Sequence, residues 1–192
     1  RLFDQRLGPA DPHQLMNSGA RAAFIDRDGV INADHGYVHH IDRFELLPGV
    51  PAALRRLEEA GFLLIVVTNQ SGIARGLFTE ADYATLTQHL HDVLAAEGVA
   101  LDAVYHCPHL PDASVAAYRV QCDCRKPAPG MLLRAIAKFG IDPQRSMLVG
   151  DKPSDIQAGR AAGVRWCCRV AAEGSGRGAA DLVAPDLARC ID

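Results

Sequence analysis

The stretch Ala22-Ala23-Phe24-Ile25-Asp26-Arg27-Asp28-Gly29 decides how the rest of the chain is read. Four apolar residues end abruptly at two carboxylates one residue apart. A short apolar run bounded by polar residues is the pattern of a buried strand. If extended geometry persists past the strand end, residues i and i+2 point the same way, so Asp26 and Asp28 face one site. Gly29 then permits a sharp turn that brings backbone N–H groups near that site. Two like charges held together call for a divalent cation. Mg²⁺ takes hard oxygen ligands and keeps several waters, so carboxylates and a substrate phosphate complete its shell. An Asp-x-Asp alone is equally an ordinary polar strand end.

Outward from this stretch, strands alternate with helices. Pro48-Gly49 opens a helix from about Val50 to Ala60, stopped by Gly61. Phe62 to Val67 is a continuous apolar run rich in β-branched residues, as in a parallel strand covered on both faces. Thr79 with Asp82 three residues on caps a helix running to about Glu97. Ala103 to Tyr105 is a short strand, and Pro129 to Phe139 a helix ended by Gly140. Ser146 to Val149, Val164 to Val170 and Leu182-Val183 read as strands, with a helix from Ser154 to Ala162. Such alternation predicts an α/β fold with a doubly wound parallel sheet over residues 21–192. Residues 1–20 are polar and aperiodic, and are expected to be a loosely held extension; Glu173 to Gly178 is expected to be a flexible loop. No long insertion separates the motifs, so no full cap domain is expected.

Composition narrows the function classes. A net charge of −3 argues against a nucleic-acid backbone as partner, since such binders carry a clustered basic excess. No apolar run approaches the ~18 residues of a membrane helix, and residues 1–19 lack the apolar stretch of a signal peptide. Six cysteines without an export signal are expected to be reduced, which points to the cytoplasm. Trp166, Cys167 and Cys168 are expected to serve core or strand packing.

In open parallel sheets ligands bind beyond the carboxyl ends of the strands. Polar residues cluster there: Asp26 and Asp28, Thr68-Asn69-Gln70-Ser71, and Asp151 to Asp155. The Thr68 to Ser71 segment supplies hydroxyl, amide and backbone donors suited to phosphate oxygens. Arg125-Lys126-Pro127 puts two cations before a helix. Between these lie Cys107, His109, Cys122 and Cys124, three thiolates and an imidazole around the loop Leu110 to Gln121. Four such ligands suit a closed tetrahedral Zn²⁺ site with a structural role. Because the loop ends at Arg125-Lys126, the metal is expected to fix two phosphate-facing cations.

Taken together, the segments at Asp26, Thr68, Lys126 and Asp151 resemble, in order and spacing, the four signature motifs of the haloacid dehalogenase superfamily, over residues 21 to about 190. The resemblance implies a Mg²⁺-dependent phosphatase. In it Asp26 is nucleophile, Asp28 general acid/base, Thr68 the phosphate-binding hydroxyl and Lys126 the phosphate-binding cation, with Arg125 assisting. Asp26, Asp28 and Asp151 are the implied Mg²⁺ ligands, and Asp155 supports Lys126 or the metal shell.

The zinc ligands narrow the likeness to the zinc-containing family that includes histidinol-phosphate phosphatase. The segments that carry it are Asp26 to Asn32, His35 to Val38, Thr68 to Gly76, Cys107 to His109, Cys122 to Pro127 and Gly150 to Lys152. This implies a small phosphorylated sugar as substrate: a heptose 1,7-bisphosphate that loses its 7-phosphate, on the way to the heptose of lipopolysaccharide. Asp34, His35, Gly36, Tyr37, Thr68, Asn69, Gln70, Ser71, Arg125, Lys126 and Lys152 are then the substrate-binding residues. Histidinol phosphate is the alternative, and would favour an acid such as Asp34 for its amine; a non-catalytic phosphate-binding module is the other. No nucleic acid or membrane partner is expected, and the chain is expected to act as a monomer.

Overall fold

The apolar runs become six strands that lie parallel in the order β3-β2-β1-β4-β5-β6. The computed structural model describes residues 19–172 and 174–192. In chain order the elements are β1 (Arg21–Ile25), α1 (Val50–Glu59), β2 (Phe62–Asn69), α2 (Ser71–Ala74), α3 (Glu80–Ala96), β3 (Ala103–Cys107), α4 (Gly130–Phe139), β4 (Met147–Gly150), α5 (Pro153–Ala161), β5 (Trp166–Val170), β6 (Leu182–Ala184) and α6 (Leu187–Cys190). The chain winds from β1 to β3 in one direction and from β4 to β6 in the other. The reversal lies between β1 and β4, where Ala23, Phe24 and Ile25 register with Met147, Leu148 and Val149. A crevice opens at such a switch point beyond the strand ends, and ligands bind there.

Strand periodicity divides the core in two. Ala23, Ile25, Leu64, Val66 and Val149 face α1, α3 and α6, packing on Leu54, Leu57, Leu90, Leu94 and Leu187. Ala22, Phe24, Ile65, Val67 and Leu148 face α4 and α5, packing on Met131, Leu132, Ala135 and Ile156. Both faces are covered, so β1 is buried along almost its whole length, as its unbroken apolar run requires.

The helix ends follow the expected chemistry. The Thr79 side chain accepts from Asp82 N while the Asp82 carboxylate accepts from Thr79 N, closing a capping box at α3. Gly140 takes a left-handed conformation (φ 61°) at the end of α4.

Four expectations are revised or completed. Residues 1–18 of the expected extension lie outside the described residues, and Ala20 is joined to the domain through Gly140 O and Asp142 N. Part of the Thr68 to Ser71 segment opens a short helix, α2, that its Gly and Ser content concealed. The C-terminal α6 was likewise not expected. Of the residues expected in core or strand packing, Trp166 starts β5 and is 41% exposed, with Arg165 stacked 5.2 Å from its ring, whereas Cys167 and Cys168 are buried in the core. Among the described residues no helix is long and apolar enough to cross a membrane.

Candidate active site

The carboxyl ends of β1, β2 and β4 bring Asp26, Thr68 and Asp151 to the switch point, and the segment after the cysteine loop adds Lys126. Lys126 is 3% exposed. Its Nζ donates to Val67 O at 2.8 Å and lies 3.0 Å from Asp26 Oδ1 and 2.6 Å from Asp155 Oδ1. Burial works against its charge, but Asp26 and Asp155 outweigh it and hold the ammonium above its ordinary pKa. A buried ammonium among three acceptors is the arrangement in which such a charge can persist.

Asp26, Asp151 and Asp155 offer carboxylate oxygens that all lie within 4.8 Å of one another. Burial, then the charge of Asp155, pushes Asp26 above the usual carboxylate range against the pull of Lys126. Burial and the Asp26 charge push Asp151 up to about 7. Asp151 Oδ1 is buried with no hydrogen-bond partner. A Cβ at residue 29 would lie 2.7 Å from Asp151 Oδ2, so only glycine leaves this oxygen free (φ 85°). Acids that resist ionisation, one with an orphaned oxygen, form a cradle that a hard divalent cation fits.

The acidic group differs from expectation in one member. Asp155, not Asp28, stands with Asp26 and Asp151. The Asp28 carboxylate is held elsewhere. Its Oδ1 accepts from Arg27 Nε at 3.2 Å, Arg27 Nη2 at 3.0 Å and Asn32 Nδ2 at 3.0 Å. Its Oδ2 accepts from Arg27 Nη2 and Gln70 Nε2, each at 3.0 Å. The Asp155 carboxylate is likewise engaged, by Lys126 Nζ and by the Lys152 N–H at 2.8 Å.

The other expected residues divide into those the fold brings to the site and those it does not. Thr68 is buried and its Oγ1 accepts from Gln70 Nε2 at 3.0 Å. Asn69 turns away, its amide clasping the backbone of Lys126: Nδ2 donates to Lys126 O at 3.0 Å and Oδ1 accepts from Lys126 N at 3.1 Å. Ser71 opens α2. Asp34 and Lys152 form an ion pair at 3.2 Å, with Lys152 Nζ also 3.8 Å from Asp151 Oδ2. Burial raises Asp34, but the Gly36 N–H and Lys152 together hold it below the usual range. His35 turns outward to Glu45, and Tyr37 sits exposed in a positive-φ turn (50°) after Gly36. Arg125 leans toward the cysteine cluster, its Nη1 3.5 Å from His109 O.

Cys107, His109, Cys122 and Cys124 converge. Sulfur–sulfur distances are 3.1, 3.2 and 3.6 Å, and His109 Nδ1 lies 3.3 Å from Cys124 Sγ and 3.8 Å from Cys107 Sγ. Tetrahedral Zn–S bonds of about 2.3 Å would set ligand atoms about 3.8 Å apart, so these four groups stand at about the spacing, slightly contracted, that such a metal would require. The Asn69 clasp ties it to the acidic site, since Gln70 N donates to Cys107 O at 2.8 Å and Lys126 follows Cys124 by two residues.

Arg27 and Asn32 were missed as site residues. Arg27 is 1% exposed although charged side chains are rarely so buried unless paired. The only signal was the pairing itself, a cation between two acids, and its burial depends on Val38 O and Tyr83 arriving from other segments.

A buried carboxylate paired with a buried ammonium at the switch point of a doubly wound sheet, beside further acids, defines a phosphoric monoester hydrolase of the aspartate-nucleophile class. The chain belongs to the haloacid dehalogenase-like hydrolase family, whose pattern matches residues 10–163. It is 51% identical over 179 residues to D-glycero-beta-D-manno-heptose-1,7-bisphosphate 7-phosphatase of Yersinia pestis, covering 90% of this chain and 94% of that one. It is 56% identical over 149 residues to the protein of the same name from Escherichia coli K12, 78% of each chain. Among solved structures, D,D-heptose 1,7-bisphosphate phosphatase from B. bronchiseptica, complexed with magnesium and phosphate, superposes with a TM-score of 0.75 at 35% identity over 88% of this chain and 94% of that one. A haloacid dehalogenase-like phosphatase from Mesorhizobium loti gives 0.81 at 34% identity, covering 91% of this chain and 87% of that one.

Proposed function

We propose that this chain hydrolyses the 7-phosphate of D-glycero-D-manno-heptose 1,7-bisphosphate through an aspartyl phosphate on Asp26. The observation that carries this reading is the Lys126–Asp26–Asp155 contact beside Asp151 at the switch point. A phosphate dianion repels an aspartate, so the site must neutralise charge before attack. Lys126 does so from within hydrogen-bond reach. Asp26, Asp151 and Asp155 would hold Mg²⁺, which supplies further neutralisation of the phosphoryl oxygens when bound. Cys107, His109, Cys122 and Cys124 would hold structural Zn²⁺.

Asp26 Oδ1 already accepts from Arg27 N at 2.8 Å and faces Lys126, so Oδ2 is the oxygen left to attack phosphorus. The new O–P bond forms as the bond to the sugar C7 oxygen breaks. Asp28 gives a proton to that departing alkoxide and later takes one from the water that attacks the aspartyl phosphate. Inorganic phosphate leaves and Asp26 is restored. Most of the rate enhancement comes from positioning and electrostatic stabilisation.

The relatives' shared name supports the heptose, and so does charge. Histidinol phosphate presents an amine, yet Asp34, the acid suited to receive it, is already neutralised by Lys152. The test is phosphate release with Mg²⁺ from heptose 1,7-bisphosphate and histidinol phosphate, by the intact protein and by Asp26→Asn. Preference for the heptose with loss in the variant is expected. Preference for histidinol phosphate would overturn the substrate, and no release from either by folded, zinc-loaded protein would overturn the enzyme reading.

A further inference from the structure

Gln70 sits in the segment expected to bind substrate, but its donors are all spent inside the protein. Its backbone N–H goes to Cys107 O at 2.8 Å. Its side-chain Nε2 donates to Asp28 Oδ2 and to Thr68 Oγ1, both at 3.0 Å. The amide carries two hydrogens, so neither is left for a phosphate oxygen. What remains is the acceptor Oε1, which an anion repels.

The direction of every hydrogen bond in this chain of groups is determined. Arg27 donates to Asp28 through Nε and Nη2, and Asn32 Nδ2 donates as well, so both Asp28 oxygens stand as acceptors. The Gln70 group facing it must therefore be the NH₂ and not the carbonyl. The second hydrogen of that NH₂ must then go to Thr68 Oγ1, which can only accept it. The single hydroxyl hydrogen of Thr68 is thereby turned away from Gln70. Among the described residues no acceptor takes it, although Thr68 is 1% exposed. A buried hydroxyl hydrogen without a partner is costly unless a ligand uses it.

We infer that Gln70 is a positioning residue: anchored by the Arg27–Asp28 pair, it aims the Thr68 hydroxyl hydrogen at an oxygen of the phosphoryl group. This rests on the proposed phosphatase reading, in which Thr68 contacts that group. Gln70 thus acts through Thr68, with no contact of its own to the substrate phosphate. A hydrogen bond from an aimed donor stabilises the developing charge without reorganisation at the moment of transfer.

The experiment is a double-mutant cycle on kcat/KM for Mg²⁺-dependent hydrolysis of heptose 1,7-bisphosphate, with melting temperature as the folding control. Thr68→Val is expected to lose roughly 100-fold, as for removal of one aimed donor. Gln70→Met is expected to lose about 10-fold or more alone and in a Thr68→Ser background, which keeps the hydroxyl, but clearly less in a Thr68→Val background, where only its bond to Asp28 is left to lose. Gln70→Leu, which likewise lacks the amide, serves in the same cycle if Gln70→Met does not fold. A loss in the Thr68→Val background as large as that with the hydroxyl present would overturn the inference, because it would mean that Gln70 acts through Asp28, through substrate or on the fold at large and not through Thr68. An inactive wild type, by contrast, would overturn the phosphatase reading and this inference with it.

Discussion

Replacing Asp151 by Asn should stabilise the metal-free protein at alkaline pH while removing its response to Mg²⁺. The Asp151 carboxyl is pushed from 3.8 up to about 7, first by burial and next by the charge of Asp26. In the unfolded chain it ionises near 3.8, so between that pH and about 7 the folded state keeps a proton that the unfolded state has released. Stability therefore falls as pH rises through this window, and the full penalty is present above about 7. At about 1.4 kcal/mol per pKa unit, the difference sets a ceiling of about 4 kcal/mol. The side chain is 21% exposed and screened by water, which reduces the penalty to about 1–2 kcal/mol. Asn has no charge to bury. For a chain of this size the gain is about 3–6 °C in melting temperature.

The assay is thermal unfolding of zinc-loaded, magnesium-free protein at about pH 5, inside the window, and about pH 8.5, above it. The variant's advantage in melting temperature should be larger at the upper pH than at the lower. Saturating Mg²⁺ adds about 2.7 kcal/mol at 100 times Kd to a protein that binds it, and should do so for wild type alone. A variant no more stable than wild type at the upper pH, or one that keeps the full Mg²⁺ response, would refute the reasoning.

Three further outcomes are expected. Asn69→Ala removes both hydrogen bonds to the Lys126 backbone and should lower kcat about 10-fold while zinc content stays unchanged; full activity would mean that Lys126 needs no such clasp. Cys122→Ser takes one of four ligands from the cluster, so metal analysis should find zinc reduced, with melting temperature and phosphatase activity falling together because Lys126 lies two residues beyond Cys124. Gly72→Ala would drive a Cβ into the Phe78 ring and should cost about 1–3 kcal/mol in urea unfolding, relieved by Phe78→Leu; an unchanged midpoint would show that the ring moves freely aside.

Much of this protein was legible in residue order alone. Apolar runs of strand length, alternating with capped helices, admit little besides a doubly wound parallel sheet, because only right-handed crossovers bury both faces. Asp26, Thr68, Lys126 and Asp151 could be picked out because the sheet delivers whatever follows a strand to one edge. The four metal-type ligands were visible because thiolates and imidazole at close spacing have few other uses in a reduced protein.

Side-chain direction lay beyond such reading, since it depends on partners from distant segments. Sequence proximity put Asp28 beside the other acids, but Arg27, Asn32 and Gln70 claim its carboxylate, and Asp155, from the first turn of α5, lies closer to Asp26 and Asp151. Asn69 and Gln70, expected at the substrate, have their amides held by Lys126 and Asp28. Trp166, apolar and next to two buried cysteines, stays exposed because it is the first residue of β5, where covering by the flanking helices has not begun. Residue types and spacing determine which chemistry a chain can carry; which atom points at which is decided only when the strands close side by side, because a hydrogen bond is satisfied by geometry and not by order along the chain.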